Sequence, residues 1–371
     1  MFELKNHVTR NRLFSVSILC AAVVLVPASR AEDKADSDSL YLADIADNTV
    51  KRFNASTGEF QGPFVTAGSG GLDGPRGLVF GPHRDLLVVS QNVNQTFAGD
   101  VLDYDGQSGT FQGVLVSHLN PKPPFAPRGI LRRGNELIIA DMGDADYVIN
   151  GGTAPNPSPA RVARYDSRSG QFLADLNYSG FAESCTGNAC VQLSPRGIVL
   201  GPDDALYVST MQFVTATDPN TISGSVIRFG HHGSDPGTVF VDGETCGCDL
   251  ARPEGLAFGR DGKLYVTSFS KSANDNDKIL VFNANGSYAD QIDLDQVGGV
   301  RAFAQAILFG PGGKLFVPIS GNGPDTGSVR RYDVSTKAFD VFIPSNGNGA
   351  AIVPWYLTFG QTDSATFSYG H

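Results

Sequence analysis

The chain has 371 residues, of which 28 are Lys or Arg and 38 are Asp or Glu, so its formal net charge at pH 7 is −10. This acidic balance disfavours nucleic acid and anionic membranes as partners, because binding either one requires a basic surface that neutralises phosphates. The length alone suggests two domains, but an internal repeat described below favours a single one.

The first 31 residues have the pattern of a secretory signal peptide. Three basic residues precede an apolar run over residues 13–27, and Ser29 and Ala31 place small side chains at the −3 and −1 positions. The run is too short to cross a bilayer. We therefore predict cleavage near Ala31 and a secreted or periplasmic protein of residues 32–371. Its net charge would be about −13, because the removed segment carries +3.

From residue 75 onward, one motif returns with a period of about 50 residues. Its best copies read PRGLVFGPHRDLLVVS from Pro75, PRGILRRGNELIIAD from Pro127, PRGIVLGPDDALYVST from Pro195 and PEGLAFGRDGKLYVTS from Pro253. A degraded copy starts at Ala304, and a short one, PWYLTFG, starts at Pro354. Repeats of this length with short strands predict a β-propeller rather than separate domains.

Each repeat contains four short runs with strand character, which we letter a to d from the axis of the ring outward. The a strands centre near residues 77, 129, 197, 255, 306 and 356, and the b strands near residues 40, 86, 137, 206, 264 and 315. We therefore predict an all-β fold of six four-stranded antiparallel blades. The last strand a should pair with the N-terminal strand of residues 39–45 and close the ring, which removes a free sheet edge.

The repeated P-x-G-(I/L)-x-(F/L)-G pattern, followed by L-(Y/F)-V, resembles that of the NHL-repeat propellers over residues 38–371. These are similar to the gluconolactonase (senescence-marker) family, to strictosidine synthase-like proteins and, more distantly, to virginiamycin B lyase. The resemblance implies the six-bladed architecture. It also implies a divalent-metal-dependent lactone hydrolase or lyase as an alternative function, although one propeller fold also serves non-catalytic scaffolds.

The long connections are predicted to gather at one end of the ring. The a–b turns and most c–d turns are minimal, whereas the long segments all fall in b–c and d–a connections, which share one end of a four-stranded blade. These segments are residues 91–99, 142–160, 178–193, 211–224 and 270–277. Long loops on a rigid scaffold are where binding usually occurs, so this end is the predicted binding face.

The second residue of each repeat begins strand a at that same end, nearest the axis. Reading round the ring, these residues, which we call the mouth ring, are Arg76, Arg128, Arg196, Glu254, Gln305 and Trp355. Three guanidinium groups in a narrow channel need anionic or polar partners that offset their mutual repulsion.

Two interpretations of the mouth ring compete. In the first, its arginines bind a carboxylate, phosphate or sulfate group of a ligand bidentately, and Trp355 offers a stacking surface. In the second, they tie neighbouring blades together through backbone carbonyls and carboxylates, with Glu254, Asp44 and Asp141 as the acidic partners. The sequence leaves both interpretations open.

Few residues fit the catalytic chemistry that the family resemblance implies. The gluconolactonase family is expected to hold its metal with Glu, Asn and Asp near the starts of inner strands, and only Glu254 offers such a ligand at a matching place. A lyase needs a base, and His118 in the second d–a connection is the histidine nearest the predicted mouth. The enzymatic alternative therefore depends on His118 and Glu254 as catalytic groups, with a bound Ca²⁺, Mg²⁺ or Zn²⁺.

Four cysteines follow the signal peptide, and an even number in an exported protein predicts two disulfides. They are Cys185, Cys190, Cys246 and Cys248. Cys185 and Cys190 would close a small loop, whereas Cys246 and Cys248 are too close in sequence for an easy mutual bond, so pairing between the two loops is equally consistent. A four-thiolate metal site is the alternative, although these spacings fit zinc motifs poorly.

The leading hypothesis is an exported, monomeric six-bladed propeller that binds a small anionic molecule, or a protein partner, at the loop-rich mouth of its central channel. The first alternative is the metal-assisted lyase or lactone hydrolase. The second is a protein-interaction scaffold that uses the loops of residues 142–160 and 178–194.

Overall fold

Strands form nearly all of the regular structure in a computed structural model of the chain. The structure describes residues 38–92, 99–143, 159–181, 184–186, 189–214, 223–230, 236–323 and 325–360. No helix within these ranges is long and apolar enough to span a membrane. The predicted signal peptide, residues 1–31, lies outside them.

Six antiparallel sheets confirm the predicted all-β propeller. Blade 1 comprises β25 (Pro354–Phe359), β1 (Ser39–Asp44), β2 (Thr49–Asn54) and β3 (Phe60–Val65). Blade 2 comprises β4 (Pro75–Phe80), β5 (Leu86–Ser90), β6 (Asp100–Tyr104) and β7 (Phe111–Val116). Blade 3 comprises β8 (Pro127–Arg133), β9 (Glu136–Asp141), β10 (Arg161–Asp166) and β11 (Phe172–Asp175).

The other three blades follow in chain order. Blade 4 comprises β12 (Ser184–Thr186), β13 (Ala189–Leu200), β14 (Leu206–Val214), β15 (Gly224–Phe229) and β16 (Thr238–Asp242). Blade 5 comprises β17 (Leu256–Phe258), β18 (Leu264–Ser268), β19 (Lys278–Phe282) and β20 (Tyr288–Asp293). Blade 6 comprises β21 (Leu308–Phe309), β22 (Leu315–Ile319), β23 (Ser328–Tyr332) and β24 (Phe339–Ile343). Short 3₁₀ turns cover Ser69–Gly71, Ser179–Phe181 and Pro311–Gly313.

Two features of the ring bear directly on the predictions. The closing strand pair is confirmed, because β25 runs antiparallel to β1 with Leu42 opposite Leu357. Blade 4 differs from the prediction of four strands, because β12 adds a fifth strand. In addition, β13 and β14 keep pairing with each other beyond the usual start of the inner strand, as far as Val191 and Val214. Part of the segment predicted as a long loop, residues 178–193, is therefore a β-hairpin.

The repeated aromatic positions explain how neighbouring blades pack. In four blades, the Tyr or Phe of strand b meets the Phe that ends strand a of the adjacent blade, edge to face, with ring centroids 4.9–5.2 Å apart. The pairs are Tyr41–Phe80, Tyr207–Phe258, Tyr265–Phe309 and Phe316–Phe359. Such pairs contribute about 0.5–1.5 kcal/mol beyond the area they bury, so the L-(Y/F)-V and F-G parts of the motif form the blade-to-blade core.

The glycine of the motif lets the inner strands approach one another closely. A Cβ on Gly77 would lie 2.6 Å from the carbonyl oxygen of Arg128, and one on Gly129 would lie 2.6 Å from that of Arg196. No side chain larger than hydrogen fits there unless the backbone shifts. The PRG triplet therefore places each arginine at the start of a strand whose next residue touches the neighbouring blade.

The cysteines follow a different pattern from the one that the sequence suggests. Cys246 and Cys248 form a disulfide with each other, so the expectation that they are too close is wrong. Gly247 between them has a positive φ of 66°, which lets the chain turn tightly enough to bring the two sulfurs together. Cys185 and Cys190 lie opposite each other in the β12–β13 register. Their side chains are outside the described part of the structure, so their bond stays a prediction.

Candidate functional site

A channel runs between the inner strands of all six blades. It is lined by Gly77, Leu78, Gly129, Ile130, Gly197, Ile198, Val199, Gly255, Leu256, Ala306, Ile307, Leu308, Tyr356, Leu357 and Thr358. The mouth ring lies at the end of this channel where the inner strands begin. Because none of these lining residues is charged, the mouth ring supplies the charged groups at this end of the channel.

Five of the six mouth-ring residues are almost fully buried. Their exposed fractions are 4% for Arg76, 7% for Arg128, 2% for Arg196, 4% for Glu254 and 6% for Gln305. Trp355 is half-buried. Charged side chains are seldom buried to this extent unless they are paired, so their partners decide what the site does.

The indole of Trp355 supports two guanidinium groups. The guanidinium carbon of Arg76 lies 3.8 Å from the ring centroid and that of Arg128 lies 4.6 Å from it, both within cation–π range. Arg76 also donates from Nε to Oε1 of Gln91, at 2.9 Å, and from Nη1 to the carbonyl oxygen of Pro75, at 3.3 Å. The predicted stacking surface is therefore used by arginines of the protein itself.

Glu254 is the carboxylate of the mouth ring, and it faces two arginines from two other blades. Its Oε1 lies 3.3 Å from Nη1 of Arg196, and its Oε2 lies 3.6 Å from Nη1 of Arg128. Arg128 donates from Nε to the sulfur of Met142, and Arg196 donates from Nη2 to that of Met211. Glu254 thus holds blades 3, 4 and 5 together at the axis, as the interpretation of a structural tie requires for these residues.

The charges of the mouth ring do not cancel. Three guanidinium groups and one carboxylate leave a net charge of +2. Burial lowers the pKa of Arg76 well below its usual value, repulsion from Arg128 and Arg196 adds to the effect, and attraction to Glu254 opposes it. Burial likewise raises the pKa of Tyr356, whose hydroxyl interacts electrostatically with Glu254 and the same arginines. The mouth therefore concentrates positive charge in a desolvated place.

The other predicted acidic partners do not pair with the mouth-ring arginines. Asp44 accepts hydrogen bonds from Lys51 and from the backbone N–H groups of Ile352 and Val353. Asp141 accepts hydrogen bonds from the backbone N–H groups that precede β8 and lies 3.5 Å from Nε of Arg161. Each carboxylate therefore fixes the entry of an inner strand within its own blade.

The two residues of the enzymatic alternative are not in contact in the described part of the chain. His118 bonds through Nδ1 to Asp100, at 2.8 Å, and Asp100 also accepts a hydrogen bond from Asn92. This cluster lies at the start of β6, the third strand of blade 2, whereas Glu254 lies at the axis. The described contacts of His118 and Glu254 include no shared partner.

A divalent cation does not fit at Glu254. Both of its oxygens face guanidinium groups, so a metal there would meet three positive charges and few oxygen donors. Elsewhere in the described ranges, no three His, Cys, Asp or Glu side chains come together as a metal site. The cysteine alternative is also unavailable at Cys246 and Cys248, because their sulfurs are bonded to each other.

One site residue was missed by the sequence reasoning. Tyr356 lines the channel, is buried, and stands next to Trp355 where four other inner strands carry the motif glycine. The substitution of a large phenol for glycine in one repeat out of six was the available signal. Gln91, which accepts a hydrogen bond from Arg76, entered the sequence analysis only as the first residue of the long segment 91–99.

No protein-family model and no curated protein sequence matches the chain. Solved structures similar to it include the periplasmic gluconolactonase PpgL of Pseudomonas aeruginosa, at 17% identity and a TM-score of 0.49, covering 89% of this chain and 99% of that one. A PQQ-bound aldose sugar dehydrogenase of Streptomyces coelicolor has 18% identity and a TM-score of 0.42, covering 78% and 82%. A Dyadobacter fermentans protein of unknown function has 14% identity and a TM-score of 0.49, covering 76% and 82%.

Identities this low relate folds and not activities, so the roles of individual residues must come from this chain. The sheets themselves establish a six-bladed β-propeller, and gluconolactonase-like propellers are among the solved structures similar to it.

Proposed function

We propose that the protein binds a small anion at the channel mouth, with Arg76, Arg128 and Arg196 as its charged ligands. The observation that carries the proposal is the charge imbalance, since the described residues of the mouth ring include three buried guanidinium groups and one carboxylate. Buried like charges raise the free energy of the folded protein unless a counter-charge joins them. An anion at the mouth supplies that counter-charge.

The contacts within the mouth ring suit this role. A guanidinium group presents a planar set of donors that matches carboxylate, phosphate and sulfate oxygens. Stacking on Trp355 and pairing with Glu254 hold the arginine side chains in place before a ligand arrives. Side chains that are already fixed lose less conformational entropy on binding, which favours affinity.

The channel beneath the mouth ring admits only a small ligand. It encloses about 70 Å³, well below the volume of a typical drug-sized site. The long connections at the same end were predicted as the binding face. Half of their residues lie outside the described ranges, so the proposal depends on the mouth ring alone.

The test is a titration of the purified protein with sodium sulfate and sodium succinate at constant ionic strength, followed by calorimetry and by thermal unfolding. We expect saturable binding and a rise in Tm, because a ligand of the folded state stabilises it. Arg128→Met, which keeps the length of the side chain, should weaken binding by at least about tenfold, the effect of losing one charged contact. Arg168→Met, at an exposed turn of blade 3, should bind like the wild type.

Two results would contradict the proposal. The first is that neither anion binds to the folded wild-type protein. The second is that Arg128→Met unfolds at a lower temperature while its folded fraction binds anions as the wild type does. In that case Arg128 serves only as a tie between blades.

A further inference from the structure

Four buried polar groups at the channel mouth have an atom without a hydrogen-bond partner in the described chain. These atoms are Nη1 of Arg128, Oε2 of Glu254, Oε1 of Gln305 and the hydroxyl oxygen of Tyr356. The first two face each other as an ion pair at 3.6 Å, which is beyond hydrogen-bond distance. All four residues are at least nine-tenths buried. Native proteins leave few such atoms, so a cluster of them beside one channel points to a ligand that bonds to them.

The four atoms differ in the partner that each one needs. The guanidinium nitrogen of Arg128 is a donor and suits an anionic oxygen. The oxygens of Glu254 and Gln305 are acceptors, so a purely anionic ligand such as sulfate leaves them unsatisfied. The Tyr356 hydroxyl can donate or accept. The set therefore calls for a ligand that carries hydrogen-bond donors as well as negative charge.

Tyr356 occupies a position that brings it under the mouth ring. Pro354 pairs with Asp44 and Tyr356 with Ala43, just as Pro75 pairs with Ser90 before the register shift in blade 2. Tyr356 thus stands where blades 2 to 5 have glycine, and its side chain lines the channel. Its electrostatic partners are Glu254 and the three arginines, which agrees with a phenol located near the axis.

The net charge of the mouth ring sets the charge of the ligand. Three guanidinium groups and one carboxylate leave +2, and a desolvated site is most stable when its ligand brings this charge to zero. A dianion does so, whereas a monoanion leaves one guanidinium uncompensated.

We propose that the ligand is a small hydroxydicarboxylate, with its two carboxylates on the arginines of the mouth ring and its hydroxyl bonded among Gln305, Glu254 and Tyr356. This inference rests on the proposed anion-binding function and narrows it. A hydroxyl satisfies both kinds of group, because it donates to the Gln305 or Glu254 oxygen and accepts from the Tyr356 hydroxyl.

Calorimetry with a matched series of probes tests this inference on the purified protein. Malate, as each enantiomer, is compared with succinate, which lacks the hydroxyl, and with lactate, which lacks one carboxylate. We expect one enantiomer of malate to bind at least about tenfold more tightly than succinate and lactate, since a site built to bond a hydroxyl discriminates against analogues without it.

Variants locate the effect. Tyr356→Phe keeps the ring and removes the hydroxyl, and Gln305→Leu removes the buried acceptor. Each should reduce the preference for malate over succinate to less than about threefold, with succinate affinity unchanged. Tyr288→Phe, at a hydroxyl on the outer strand β20, is the control and should keep the full preference.

The outcomes separate this inference from the function on which it rests. If succinate binds but malate gains nothing over it, or if lactate binds as well as malate, the ligand class is wrong and anion binding still stands. If Tyr356→Phe and Gln305→Leu both still bind malate more tightly than succinate by the wild-type factor, these residues do not bind the hydroxyl and the inference is overturned. If none of the probes binds, both proposals fail.

Discussion

Two groups of buried charged residues in this propeller have different kinds of partners. Asp141 is fully buried, accepts hydrogen bonds from three backbone N–H groups, and lies beside Arg161. The mouth ring is buried to a similar extent, yet it carries a net positive charge, and polar atoms of Arg128 and Glu254 lack hydrogen-bond partners among the described residues. The carboxylate of Asp141 has hydrogen-bond donors and a facing cation, although Nε of Arg161 also lacks a hydrogen bond, whereas the mouth ring holds three guanidinium groups and one carboxylate among the described residues.

This difference separates buried charges that hold strands in place from buried charges that are candidates for ligand binding. Asp44 and Asp141 stand at the ends of b strands and fix the entry of the inner strand in blades 1 and 3. The mouth ring begins those same inner strands, only a few residues away. Burial alone therefore does not mark a binding site, and the excess of positive charge among the described residues distinguishes the mouth ring.

The largest expected effect on stability comes from removing the buried negative charge of Asp141. Asp141→Asn keeps the size of the side chain but removes the charge that faces Arg161 and three N–H groups. We expect the free energy of unfolding to fall by about 3–5 kcal/mol, the usual result of removing one partner from a buried ion pair. Urea unfolding followed by circular dichroism measures the loss.

The matched control is Asp340→Asn, which removes an exposed carboxylate that pairs with Arg331. It should change the free energy of unfolding by less than about 1 kcal/mol, as surface ion pairs do. Equal effects of the two substitutions would show that the buried set in blade 3 has no special structural role.

Removing one positive charge from the mouth ring should have a smaller effect, and it should stabilise the protein. Arg76→Met removes one buried guanidinium whose pKa is lowered by burial and by repulsion from Arg128. In the absence of anions, we expect Tm to rise by about 2–4 °C, equivalent to roughly 1.5–3 kcal/mol for a domain of this length. The rise in Tm on adding succinate should be smaller than in the wild type, because the binding charge is gone. Arg76 would then lower the stability of the ligand-free protein while contributing to anion binding.

Thermal unfolding with and without succinate distinguishes this from a structural role. If Arg76→Met lowers Tm and keeps the full response to succinate, Arg76 stabilises the fold through Trp355 and Gln91 and takes no part in binding. Arg168→Met, at an exposed turn, controls for the loss of positive charge in general.

The sequence was sufficient for the architecture because each part of the repeat has a fixed physical role. Gly77 and Gly129 are required for close approach of the inner strands, and the aromatic positions pack one blade on the next. The glycine recurs in four of the six inner strands and the aromatic pair at four of the six blade interfaces, so the repeat predicts both the number of blades and the ring closure. It also predicts which residues begin the inner strands, hence the members of the mouth ring.

The partners of those residues could not be predicted from the repeat. Glu254 pairs with arginines from blades 3 and 4, whereas Asp44 and Asp141 pair within their own blades, and only the three-dimensional spacing decides this. Tyr356 was missed because it breaks the repeat, and a broken repeat indicates that something differs without saying what. The Cys246–Cys248 bond depends on a local turn at Gly247 that spacing alone does not reveal.

The smallest expected effect tests whether a polar group without a hydrogen-bond partner lowers stability when it lies away from the mouth ring. Asp103 lies on β6 near the end opposite the mouth, and its Oδ1 has no hydrogen-bond partner among the described residues. Burial, with a further contribution from Asp85, raises the pKa of Asp103 to about 6. Between about pH 4, the usual pKa of the unfolded state, and pH 6, the folded protein holds a proton that the unfolded chain has released. Stability is therefore lost as pH rises through this window.

Asp103→Asn removes the titrating group, so it should raise Tm by about 1–3 °C at pH 8 and leave it unchanged at pH 4. Asp105 provides a control of opposite sign, because hydrogen bonds from the Ser108 hydroxyl and from backbone N–H groups lower its pKa. Asp105→Asn should lower Tm at pH 8, and this loss should shrink as pH falls below the usual Asp pKa of about 4. If Asp103→Asn lowers Tm at pH 8, this carboxylate has a stabilising partner. An incomplete set of hydrogen bonds would then be a weaker criterion for a binding site than the mouth ring suggests.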